Sequence, residues 1–142
     1  MKRMFDNERR VLYMSAWCQV SGIVRVDGFA DKDFSEVFGK QLEWDSPDEL
    51  WQEADEHPER FLPMGSEGSI KMTVWKNPHG NHADKYTISL FGSLRDVWSP
   101  HPIIEWFKEK VESLSLVRQA VITADCGVGL GMETWTYGED EE

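Results

Sequence analysis

The sequence predicts an α+β fold: an antiparallel sheet with two helices packed on one face. Three observations predict it. Several short runs alternate apolar with polar residues, the period of a strand that buries one face. Two longer stretches space their apolar residues three and four apart, the period of an amphipathic helix. Clusters of Pro, Gly, Asn and Ser separate these runs and supply the turns between them.

Residues 11–27, VLYMSAWCQVSGIVRVD, are rich in β-branched and aromatic residues and read as one long strand. Gly22 interrupts the pattern and is expected to mark a bulge or sharp bend. In residues 31–42 the period changes. Phe34, Val37, Phe38 and Leu42 share one helical face, and Asp31 or Asp33 is placed to accept the free N–H groups at its start. Residues 46–56 carry a helix start, with Ser46 as cap, Pro47 in the first turn and Glu49 completing a capping box. Leu50, Trp51 and Ala54 make only a narrow apolar stripe, so this helix is expected on the surface.

Residues 57–68 hold two prolines and two glycines and read as a loop. Ile70, Met72 and Val74, and then Tyr86, Ile88 and Leu90, alternate with polar residues and predict a hairpin with a long tip at 77–82. Ser99-Pro100-His101-Pro102 opens a helix whose Ile103, Trp106, Phe107, Val111 and Leu114 form an apolar face. Residues 117–125 read as a largely buried strand. Gly127, Gly129 and Gly131 break the chain, and residues 133–137 form a short final strand.

Without the helical insert and the last strand the order is βαββαβ. It resembles the ferredoxin-like arrangement in element order, and no more specific resemblance is carried by the residues. Residues 1–138 are expected to form one domain, and the acidic tail 139–142 to be disordered.

With 142 residues, 40% of them hydrophobic and including seven Trp and seven Phe, the chain has ample material for a core without disulfide or metal. No run of eighteen apolar residues is present, and the basic N-terminus MKRMFDNERR lacks an apolar segment behind it. The expectation is a cytoplasmic protein with no membrane partner. Cys18 and Cys126 each lie in an apolar run, as buried free thiols do in a reducing compartment.

The net charge of −11 is local. Residues 43–60 hold eight acids against one arginine, and residues 139–142 are all acidic, so these two segments account for the whole excess. Acidic surfaces repel phosphate backbones, which argues against direct nucleic-acid binding, and attract a partner with a basic surface.

Several constellations suggest chemistry. His79, His82 and Asp84 at the hairpin tip have the donor types of a divalent-metal site, although Pro78 and Gly80 leave no helix to align the rings. The run Gly127-Val128-Gly129-Leu130-Gly131 precedes a strand, not a helix, and so reads as a bend and not a phosphate loop. Cys126 has no histidine beside it, and Ser66 lacks the strand–turn–helix setting of a nucleophile. Arg95 and Asp96 read as a local ion pair. The most unusual feature is the acidic segment, in which Trp44 and Trp51 stand among Glu43, Asp45, Asp48, Glu49, Glu53, Asp55 and Glu56. Exposed indoles anchor interfaces and acids steer basic partners; the same rings folded inward would be outer core.

These observations favour a non-enzymatic protein-binding module without cofactor. The expected role is an acidic inhibitor, anti-CRISPR-like or immunity-type, that occludes the basic surface of a nucleic-acid-handling enzyme. A small metal-dependent hydrolase or ligand-binding enzyme using His79, His82 and Asp84, or a structural or assembly subunit, are the alternatives; the oligomeric state is left open.

Overall fold

The computed structural model describes residues 16–28, 33–79 and 82–138, with backbone only at 78, 79, 82 and 83. The described elements, in chain order, are β1 (Trp17–Gly28), α1 (Ser35–Phe38), α2 (Asp48–Glu56), a 3₁₀ turn (Pro58–Arg60), β2 (Lys71–His79), β3 (His82–Arg95), α3 (His101–Glu112), β4 (Val117–Asp125) and β5 (Met132–Gly138). The five strands form one sheet in the order β2-β3-β1-β4-β5, and every neighbouring pair is antiparallel. The fold is therefore mixed α+β on an antiparallel sheet. The extra C-terminal strand is present as expected, but the specific ferredoxin-like arrangement is not matched: the first of the two expected helices is a single turn, and among the described residues only α3 lies on the sheet at full length.

Alternation decides which face is buried. Cys18, Val20, Val24 and Val26 of β1, Tyr86, Ile88, Leu90 and Leu94 of β3, and Ala120, Ile122 and Ala124 of β4 all point to one side. There α3 covers them with Ile103, Ile104, Phe107 and Val111, the face that its spacing predicts. The opposite side of the sheet has no helix on it among the described residues.

Gly22 does not break β1. The strand runs through it, and the irregularity lies between Arg25 and Val26. A Cβ at Gly22 would stand 3.3 Å from the Phe107 ring, so this glycine makes room for the aromatic side chain of α3. The Phe107 ring in turn meets Trp135 of β5 edge-on at 5.9 Å.

The helix expected over 31–42 is reduced to one turn. Phe34 and Phe38 are buried in the main core as their spacing requires, Leu42 is buried in a separate cluster beyond the helix, and Asp33 accepts the Ser35 N–H at 3.1 Å. The turn stops at Gly39, whose φ is 129° and whose missing Cβ leaves space for the backbone of Phe61 and Leu62. Lys40 then pairs with Phe61 as a parallel bridge. A tertiary backbone contact has replaced further helix. Other corrections concern ends. Ser46 does not cap α2; its Oγ accepts the Glu43 N–H at 2.9 Å, and Pro47 stands at the helix start. Strands β2 and β3 are longer than expected and pair as far as His79 and His82, so the long tip is mostly strand. Strand β4 is half-buried and not largely buried, because its Gln119, Val121 and Thr123 face the uncovered side. Gly127, Gly129 and Gly131 all have positive φ and turn β5 back beside β4. The tail 139–142 lies outside the described residues. No helix among those described is long and apolar enough to cross a membrane.

Candidate docking site

The acidic segment is attached to the body by two kinds of contact. Leu42, Ala54 and Phe61, with Leu50 and Met64 against them, form a small apolar cluster separate from the main core. Ion pairs flank it. Lys71 of β2 reaches Glu43 at 2.8 Å, and Lys40 reaches Glu53 at 2.9 Å with Arg60 adding a contact at 3.4 Å. The Lys71 hydrogen bond, then that of Gln41, holds the Glu43 carboxyl below its ordinary value; Lys40 does the same for Glu53, with Arg60 assisting.

The sequence-predicted residues thus divide in two. Glu43 and Glu53 are neutralised and serve attachment. Asp45, Asp48, Glu49, Asp55 and Glu56 are exposed and make no ion pair among the described residues. Asp48 and Glu49 occupy the first turn of α2, where the helix dipole favours negative charge. The indoles do not fold inward: Trp44 is 89% exposed and Trp51 39%.

Trp44 and Trp51 stand on the rim of a groove of about 1220 Å³ that runs onto the uncovered face of the sheet. Its floor is Gln19, Ser21, Phe91 and Ser93, and its far side reaches Asp125 and Met132. One wall is the segment 64–69, which lies so close to β3 that a Cβ at Gly65 or Gly68 would fall on the backbone of Arg95 or Ser93. Ser66 Oγ donates to Asp96 at 2.6 Å and Arg95 pairs with Glu67 at 3.0 Å, which ties this wall to the end of β3. The loop expected over 57–68 is present, apart from the 3₁₀ turn at Pro58–Arg60, and its second half is held against β3. Phe91 was missed as a site residue, yet a signal was present: Leu90 and Phe91 are adjacent in a strand, so one of them has to face outward.

The alternative site does not assemble from described side chains. His79 and His82 pair through their backbones at the end of the hairpin, and their imidazoles lie outside the described residues. Asp84 is engaged by Lys76 at 3.4 Å. His101 sits between Glu133 at 3.2 Å and Glu105 at 3.7 Å, on the surface. Among the described residues no three His, Cys, Asp or Glu side chains are placed to hold a metal ion.

Cys18 and Cys126 are both buried and unbridged. Their register places them side by side on β1 and the end of β4, and their thiols hydrogen-bond. Burial first, then the neighbouring thiol, pushes Cys18 up to about 12, so Cys18 is not poised as a nucleophile. Comparison with known proteins found no matching family model, no matching curated protein and no matching solved structure.

Proposed function

We propose that this chain is a protein-binding module that docks the basic surface of a partner through Trp44 and the outward carboxylates of α2. The observation that carries the reading is the 89% exposure of Trp44 beside Asp45, Asp48 and Glu49, which have no cationic partner among the described residues. Holding a large indole in water forgoes its burial, a cost recovered when a partner covers it. The attachment by Glu43 and Glu53 favours binding as well, because a segment already held in place loses less entropy on docking. Carboxylates at such a surface stand where phosphates would lie on a nucleic-acid-binding protein. The mode of action proposed is therefore occlusion of that protein's basic groove.

The test is affinity capture from native lysate with the wild type and with a Trp44→Ala/Asp48→Lys/Glu49→Lys variant. A partner retained by the wild type at low salt, lost at high salt and not retained by the variant is the expected result. Retention that is indifferent to salt sinks the carboxylate role, and equal retention by the variant sinks the site.

A further inference from the structure

One end of the uncovered sheet face is a basic depression of about 330 Å³. It crosses four adjacent strands, with Lys85 from β3, Arg25 and Asp27 from β1, Arg118 and Gln119 from β4, and Gly138 from β5. Arg25 and Asp27 face this side because they alternate with the buried Val24 and Val26. Three cations and one carboxylate among the described residues line it, an excess of two positive charges in a chain whose net charge is −11.

Asp27 offsets only part of that charge. Arg118 contacts it at 2.9 Å and Lys85 at 3.6 Å, while Arg25 donates to the neutral amide of Gln119 at 3.1 Å. The hydrogen bond from Arg118 first, then the charges of Arg118 and Lys85, hold the Asp27 carboxyl below its ordinary value. Strand β5 runs towards this end of the sheet: Met132 pairs with Asp125 at the far end, and Gly138 pairs with Gln119 here. The four residues that follow Gly138 in sequence, Glu139, Asp140, Glu141 and Glu142, are all acidic and lie outside the described residues.

We infer that the acidic segment 139–142 folds back into this depression and that its carboxylates pair with Arg25, Lys85 and Arg118. Two observations select this occupant. The chain enters the segment at the depression itself, since Gly138 is part of its lining. Four residues span at most about 14 Å, which keeps all four carboxylates within reach of the cations beside Gly138. The charges are also opposite, four negative against an excess of two positive. Exposed ion pairs are individually weak, but a short tether supplies an effective concentration of about millimolar. A free anion has no tether and meets the repulsion of the whole acidic chain. The other end of the same face offers no comparable site among the described residues: Asp125 and Glu67 line it, Lys71 is held by Glu43, and Arg95 by Glu67. Location decides the sign of a measurable effect. Four carboxylates in open solvent add repulsion to a chain of net charge −11, so neutralising them leaves stability level or raises it. Four carboxylates lying on cations stabilise the fold, and neutralising them lowers it.

The experiment is urea unfolding of the 142-residue chain at about 10 mM and about 1 M salt, where the screening length falls from about 30 Å to about 3 Å. One variant neutralises the segment (Glu139→Gln/Asp140→Asn/Glu141→Gln/Glu142→Gln), a second the depression (Arg25→Gln/Lys85→Gln), and a third carries both sets. Neutralising the segment is expected to lower the folding equilibrium constant about threefold at low salt and to leave it unchanged at high salt. In the Arg25→Gln/Lys85→Gln background the same four changes are expected to leave it level or raise it, a coupling that the double-mutant cycle reads directly. Amide resonances of the wild type and the neutralised chain are expected to differ at Lys85, Thr87 and Gln119, which line the depression, and not at the Asp125 end. Circular dichroism checks that each variant folds, and Lys85→Gln alone completes the cycle should the double change unfold the chain. A neutralised segment that leaves the low-salt constant level or raises it overturns the inference, as does an equal loss in both backgrounds. Inorganic phosphate that shifts the same amides equally in the wild type and the neutralised chain also overturns it, because the depression then belongs to a free anion. Trp44 and the α2 carboxylates enter none of these measurements, so the outcome is independent of the docking surface proposed above.

Discussion

At the residue scale, burial and pairing separate groups that hold the fold from groups available for contact. Cys18 and Cys126 belong to the first kind. With the Cys18 thiol pushed up to about 12, it stays protonated at neutral pH, and only the thiolate attacks. Native protein at pH 8 is expected to leave both thiols unmodified by a disulfide reagent within the time that urea-unfolded protein reacts with two equivalents. Asp27 also belongs to the first kind. Its pKa is lower in the folded state than in the unfolded chain, so its contribution is present above the ordinary carboxylate value and is lost as pH falls through the folded one. Asp27→Asn is therefore expected to cost about 1 kcal/mol at pH 7, the upper end for partly exposed pairs. That difference should shrink as urea midpoints are measured at pH values progressively below the ordinary carboxylate range.

At the element scale, α3 is the principal helix on the sheet, and Phe107 is its central contact. The ring fills the space above Gly22 and supports Trp135. Phe107→Ala is expected to destabilise by about 3–5 kcal/mol, the range for a deleted buried aromatic. Amide exchange in β5 should speed up ahead of β1, because β5 pairs on one side only and has lost the residue beneath Trp135. The face that α3 buries was legible in its period. The failure of α1 to extend was not, because Gly39 ends it through a contact with Phe61, twenty-two residues away in sequence. Local periodicity carries no information about such a contact. The same holds for Ser46: the local pattern of a capping box was present, yet its hydroxyl accepts from Glu43 and the turn competes with the cap.

At the scale of the whole molecule, charge is distributed by purpose. Neutralising Asp45, Asp48, Glu49, Asp55 and Glu56 to their amides removes five charges that have no ion pair among the described residues. The melting temperature is expected to stay nearly level, with an effect within about 0.5 kcal/mol per site, because relieved repulsion offsets the lost interaction of Asp48 and Glu49 with the helix dipole. A large loss of stability in that variant, read by thermal unfolding, would instead assign the acids a structural role. Mutating Glu43 or Glu53 is the contrasting case, since each is held to a lysine of the body.

The α+β class with its antiparallel sheet, the approximate place of each strand and the concentration of charge in two segments were determined by the sequence alone, because alternation, helical period and formal charge are local properties of the chain. Whether Trp44 and Trp51 faced in or out, which acids were neutralised, and the groove beside Phe91 were decided only by the tertiary structure. Each depends on which distant residue lies across a contact: Lys71 against Glu43, Lys40 against Glu53, Phe61 against Gly39. The uncovered face of the sheet is of the same kind. Its pattern is spread over all five strands and exists only once β1 has been placed between β3 and β4.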